Sequence, residues 1–214
     1  MDYVSCSKKY LMNTYGQFPV VFTHGKGCKL YDTCEKEYLD LTSGIGVSCL
    51  GYGNDGWVTA VTEQVKKLAH TSNIFLNIPS VTAAKKLCEL SGMSKVFFCN
   101  SGAEANEGAI KLAKKYSYLK YGSGRSTIIT LNKSFHGRTI TTLKATGQEK
   151  FHKYFDPFTE GFKYTDVNIA SLDASIADTV CSLLLEALQG DGGVTPLPKE
   201  FIDTVFAIRK HKDI

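Results

Sequence analysis

The sequence predicts an α/β protein: a mainly parallel sheet with flanking helices. Three observations carry that expectation. Short apolar runs at Val96–Cys99, Thr127–Leu131 and Val180–Leu185 alternate with stretches of helical pattern. Each run is too short to be a helix and is bounded by polar or glycine-containing loops. Short buried strands alternating with helices are the mark of a parallel sheet, and such sheets bind ligands outside the carboxyl ends of their strands.

The elements follow in order. Glycine punctuates the first third at Gly25, Gly27, Gly44, Gly46, Gly51, Gly53 and Gly56. Between these, Cys28–Asp32 and Glu37–Leu41 read as short strands joined by turns. A helix is predicted from about Trp57 to Ala69, with Val58, Val61, Val65 and Leu68 on one face. Pro79, a good first helical residue, opens another that continues through Leu87 and Leu90. The run Val96–Cys99 then precedes a helix from about Ala103 to Lys120, whose expected buried face is Ala109, Leu112, Ala113 and Tyr116. Thr127–Leu131 is a strand, followed by a loop and a short helical stretch. Val180–Leu185 is a further strand, followed by a glycine loop and a helix from about Lys199 to His211. In an α/β unit that last helix should feed another strand, and the sequence stops three residues later at Ile214.

Composition narrows the class. The 214 residues carry 25 Lys plus Arg against 21 Asp plus Glu, a net charge of +4, and 43% are hydrophobic. This balance suits a soluble globular chain and excludes a disordered or collagen-like one. No apolar run approaches the ~18 residues of a membrane helix. The start, Met1 to Cys6, has an acid at Asp2 and no apolar core, so no signal peptide is expected and the cytoplasm is the predicted compartment. The densest basic run, Lys111, Lys114, Lys115, Lys120 and Arg125, falls late in a helix, where cations suit the dipole. It is read as a solvated face and not a nucleic-acid patch. The seven cysteines are odd in number and lack a C-x-x-C pair, so reduced, buried thiols are expected. The five histidines lack metal-ligand spacing, and no metal site is expected.

Three loops carry the candidate chemistry. The first, Asn100 to Glu107, opens the long helix. Ser101 can cap it, Glu104 would complete a capping box, and Gly102 and Ala103 let an anion approach the backbone N–H groups. The second, Ser134 to Thr139, offers the flat faces of Phe135 and His136 to a planar ring and the fork of Arg138 to a carboxylate. In the third, Glu186 and Asp191 flank a glycine turn. If the strands are parallel, all three loops leave the same edge, and together they suggest a phosphorylated, ring-bearing cofactor beside an acidic substrate.

Phe97 to Glu107 resembles the phosphate loop of the class III pyridoxal-phosphate aminotransferases. Phe135-His136-Gly137-Arg138-Thr139, followed by Ala145-Thr146-Gly147-Gln148, is similar to the acetylornithine and ornithine branch, and Leu41–Leu50 and His70–Asn73 agree with it. The resemblance implies the PLP-dependent transferase fold type I. Residues 1–70 would then be part of a small domain plus a connecting helix, and 71–214 the first part of the large cofactor-binding domain. It implies pyridoxal 5′-phosphate held by Ser101, Gly102, Ala103, Phe135, His136, Glu186 and Asp191, and substrate contacts from Arg138 and Tyr15. Small-molecule amino acid and 2-oxo acid substrates and a homodimer are implied, with no nucleic acid or membrane partner. The implied reaction exchanges an amino group between N-acetylornithine and 2-oxoglutarate. Ornithine, succinylornithine or 4-aminobutyrate as donors, or a non-catalytic partner role, are the alternatives. Glu186 and Asp191 match the two glutamates of the family loop E-P-x-Q-G-E-G-G, with Asp in place of the second and Ala187 in place of the proline. The family's D-E-x-Q motif and its Schiff-base lysine would follow Ile214. The sequence is therefore expected to be an N-terminal fragment without catalytic lysine, unable to turn over alone.

Overall fold

The computed structural model describes residues 1–214, which form two compact units, Met1–Lys86 and Leu87–Ile214. In the first unit, α1 (Tyr3–Tyr10) is capped by Asp2, whose carboxylate accepts from the Ser5 N–H at 3.1 Å. Then β1 (Phe22–Lys26), β2 (Lys29–Asp32) and β3 (Glu37–Leu39) make an antiparallel sheet in the order β1-β2-β3. Two of these strands were expected; β1 was not, and β3 ends two residues before Leu41. The β1–β2 hairpin turns at Gly27, whose φ of 58° is the left-handed value a tight turn requires. A single turn α2 (Ser43–Gly46) contains left-handed residues and is not a regular helix.

Helix α3 (Asp55–Lys67) starts two residues before its expected position because Asn54 caps it, accepting from the Trp57 N–H at 3.0 Å. Its expected inner face is not buried: Val58, Val61, Val65 and Leu68 are 43–59% exposed. The periodicity is real, but a stripe is buried only where another element lies against it. Helix α4 (Ile78–Ser91) crosses the boundary between the units, and Asn77 caps it by accepting from the Ser80 N–H at 2.9 Å.

The second unit holds α5 (Gly102–Tyr121), β4 (Thr127–Leu131), α6 (Ile140–Ala145), β5 (Phe162–Thr165), α7 (Ile169–Ser175), β6 (Val180–Leu184), the ribbon β7 (Leu188–Gln189) with β8 (Thr195–Pro196), and α8 (Lys199–Lys212). The sheet order is β5-β4-β6, and both pairings are parallel, as expected of an α/β fold. Central β4 is almost fully buried, with Ile129 and Leu131 at 0% exposure. Side chains alternate across it. Ile128 packs with Ile110 of α5, Ala145 of α6 and Cys181 on one face; Leu131 packs with Leu172 of α7, Phe201 of α8 and Leu197, just before α8, on the other.

Three expectations are corrected in this unit. Val96–Cys99 carries no ladder hydrogen bonds and is not a strand, because no neighbouring strand pairs with it. The buried face of α5 is Ile110 and Ser117, with Ala113 between them, whereas Leu112 is 71% and Tyr116 50% exposed. Ser117 can face inward because its hydroxyl donates to the Arg125 carbonyl at 2.7 Å. All seven cysteines are free thiols, but only Cys181 is buried, and Cys28, Cys34, Cys49 and Cys99 are exposed. No helix is long and apolar enough to cross a membrane.

A candidate site on three loops at one sheet edge

Because β4 and β6 run parallel, the loops that follow them leave the same edge of the sheet. The start of α5 is brought to that edge by side chains of its first turns.

Ser101 caps α5, its hydroxyl oxygen accepting from the Glu104 N–H at 3.2 Å. The expected capping box is only half made. The Glu104 carboxylate reaches past Ser101 and accepts from the Asn100 backbone N–H at 2.6 Å and its side-chain amide at 2.9 Å. The Ala105 N–H donates to the Ser101 carbonyl. Three successive N–H groups, of Ser101, Gly102 and Ala103, are thereby left without an acceptor in the chain. A Cβ placed on Gly102 would meet nothing within 4 Å, so the space before the helix is open. Unclaimed donors at the positive end of a 20-residue helix favour an anion there.

The second loop is pinned from several sides. The Ser134 hydroxyl accepts from the Gly147 N–H at 3.0 Å, and the His136 N–H donates to the Thr146 hydroxyl at 3.0 Å. Phe135 is half-buried and meets Phe151 edge-on, with ring centroids 5.9 Å apart. His136 is 4% exposed, and its Nε2 has no hydrogen-bond partner. Burial lowers its pKa from 6.5 to about 4, so the imidazole is neutral at ordinary pH. Arg138 is exposed, and Thr139 caps α6 reciprocally with Thr142.

The third loop is laid against the second. Glu186 accepts from the Phe135 N–H at 2.9 Å. Burial pushes the Glu186 carboxyl above the usual carboxylate range; the N–H groups of Phe135 and Gly190 oppose that, and the nearby Asp191 charge adds to it. Asp191 is exposed and accepts from the Gln148 side-chain amide at 2.8 Å, and the same nitrogen donates to the Ser134 carbonyl at 3.1 Å. Gln189, 4% exposed, donates to the Asn132 carbonyl at 3.0 Å.

The first loop meets the second through Asn106, whose amide donates to the His136 carbonyl at 2.8 Å, and through Glu107, which accepts from the Thr139 hydroxyl at 2.5 Å. Of the residues singled out in the sequence, Ser101, Gly102, Ala103, Phe135, His136, Arg138, Glu186 and Asp191 therefore lie on loops bonded to one another. Tyr15 belongs to the first unit and is 65% exposed. Sequence reasoning missed Asn106, Glu107 and Gln148, the side chains that join the loops. Asn106 and Glu107 had a signal: they stand three and four residues after Ala103, on the same helix face. Gln148 had none.

A model of the class III aminotransferase family matches residues 10–214. The chain is 49% identical over 207 residues to an acetylornithine aminotransferase of Haemophilus ducreyi, covering 96% of this chain and 53% of the relative. It is 44% identical over 214 residues to one from Methanocaldococcus jannaschii, covering 100% of this chain and 54% of the relative. Among solved structures, an ornithine aminotransferase from Toxoplasma gondii, described with partial occupancy of PLP at its active site, superposes with a TM-score of 0.93 at 28% identity, covering 99% of this chain and 51% of that one. N-acetylornithine aminotransferase from Stenotrophomonas maltophilia superposes with a TM-score of 0.79 at 33% identity, covering 98% and 51%. The chain spans about half the length of the curated relatives it matches.

Proposed function

The chain belongs to the class III aminotransferases, with their fold type I, and we propose that its three-loop rim grips pyridoxal 5′-phosphate for transfer of an amino group from N-acetylornithine to 2-oxoglutarate. The observation that carries this reading is the trio of unclaimed N–H groups at Ser101, Gly102 and Ala103, tied to the loop that presents Phe135. The donor set fits the group. Three backbone donors at a helix start suit a phosphate, Phe135 offers a face to the pyridine ring, and the buried Nε2 of His136 lacks a partner. Bound there, the cofactor would supply the electron sink that loosens bonds at the substrate carbon bearing the transferred amino group.

The chain's own residues bind and orient. Glu186 fixes the Phe135 backbone, and Gln148 fixes the Asp191 carboxylate beside it. Arg138 holds a substrate carboxylate with its planar fork, and Tyr15 contacts the substrate. Residues 1–70 serve as a small-domain segment and 71–214 as the first part of the cofactor-binding domain. The complete activity is cytoplasmic, homodimeric and directed to arginine biosynthesis, on small amino acid and 2-oxo acid substrates. The 214 residues alone bind cofactor at most weakly and non-covalently, without turnover, since none of their lysines stands in the family's lysine motif.

Ornithine as donor is a second reading, favoured by the close superposition on the Toxoplasma gondii ornithine aminotransferase. A donor panel separates the two, using this chain joined at Ile214 to the remaining half of the Haemophilus ducreyi relative. Fastest glutamate formation with N-acetylornithine is expected. A faster rate with ornithine would establish the second reading, and no transfer from any donor would refute both.

A further inference from the structure

We infer that Asn106 and Glu107 are positioning residues that lock the ring-facing loop to the phosphate-facing start of α5; this rests on the cofactor reading above. Ala103, Asn106 and Glu107 share one face of the helix, at the spacing that brings side chains into register. Each meets the second loop at a different point. Asn106 donates its amide to the His136 carbonyl at 2.8 Å, directly after Phe135. Glu107 accepts from the Thr139 hydroxyl at 2.5 Å, directly after Arg138, in a short charge-assisted bond. Between them Gly137 lies flat against Ala103: a Cβ at 137 would stand 2.8 Å from the Ala103 Cβ and 2.7 Å from the Thr142 hydroxyl.

Phe135 and Arg138 are thus bracketed by residues fastened to the same helix turns whose first N–H groups are unclaimed. The distance from the phosphate donors to the ring face is then a property of α5 and not of a free loop. An inorganic phosphate needs only the helix start. A phosphorylated pyridine must meet both ends at once, so only it should sense the loss of the fastening.

The test is a titration of the full chain with two probes: pyridoxamine 5′-phosphate, which has the ring and phosphate but no aldehyde to react with surface lysines, and inorganic phosphate. Asn106→Ala and Glu107→Ala should each weaken pyridoxamine 5′-phosphate binding by about tenfold, the scale of one lost hydrogen bond, with phosphate affinity unchanged. Glu107→Gln, whose amide oxygen still accepts from Thr139, should restore most of the loss. Unchanged affinity for pyridoxamine 5′-phosphate in the alanine variants would overturn the inference, as would an equal loss for both probes or a Glu107→Gln variant no better than Glu107→Ala. If the unmutated chain bound neither probe, the cofactor reading itself would fail.

Discussion

The backbone N–H of Phe135 donates to a carboxylate oxygen of Glu186 at 2.9 Å, joining two loops whose residues stand 51 apart in the chain. This bond connects the loop after β4 to the loop after β6, and it acts on the residue assigned to face the cofactor ring.

Glu186→Ala should therefore cost stability, since it strands the Phe135 donor in a half-buried position. A loss of about 1–3 kcal/mol in urea unfolding is expected. Glu186→Gln keeps an acceptor oxygen and should lose clearly less. The folded-state pKa of Glu186 is raised, so the unfolded chain ionises first. Its contribution to stability is complete at pH values below the unfolded pKa and declines as pH rises towards the folded one; Glu186→Gln should remove that slope.

His136 produces the opposite slope. Its pKa falls from 6.5 to about 4 on folding because the imidazole is buried without a partner at Nε2. On acidification the unfolded chain takes up this proton first. Stability from His136 is complete above pH 6.5 and is lost as pH falls towards 4, by up to roughly 3 kcal/mol over that window. His136→Gln should flatten the pH dependence of unfolding between those limits.

Gly192 and Gly190 stand in the same loop with opposite tolerance. A Cβ at 192 would lie 2.5 Å from the Lys133 carbonyl oxygen, a backbone atom that cannot swing aside, whereas a Cβ at 190 would meet nothing within 4 Å. Gly192→Ala should destabilise the chain by about 1–3 kcal/mol by forcing the second and third loops apart. Gly190→Ala should change stability by less than about 0.5 kcal/mol. Thermal unfolding of the pair reads the difference.

Local chemistry was legible in the sequence wherever neighbours in the chain decide the outcome. The cap at Ser101, the start of α5 and the buried strands β4 and β6 all belong to that class. What depends on distant partners was not. Val96–Cys99 has a strand's composition, but a strand needs a neighbour to bond with, and none pairs with it. The α5 stripe through Leu112 and Tyr116 is apolar yet exposed, while Ser117 is buried because a carbonyl from Arg125 receives its hydroxyl. β5 escaped notice because Phe162-Lys163-Tyr164-Thr165 is only four residues long and lacks an apolar run, although its alternation of rings with polar groups is itself a strand signal. In the site, residue types on each loop could be read directly. The bonds from Asn106, Glu107 and Gln148 that assemble the loops are long-range, so only coordinates expose them.

The most direct test of the central claim is an amide-resolved NMR titration of the 214-residue chain with pyridoxamine 5′-phosphate. The account requires the N–H signals of Ser101, Gly102, Ala103 and Phe135 to shift together along one saturable curve, and Phe135→Ala to weaken that curve. Unmoved signals at Ser101–Ala103, or saturable shifts confined to another part of the chain, would contradict it.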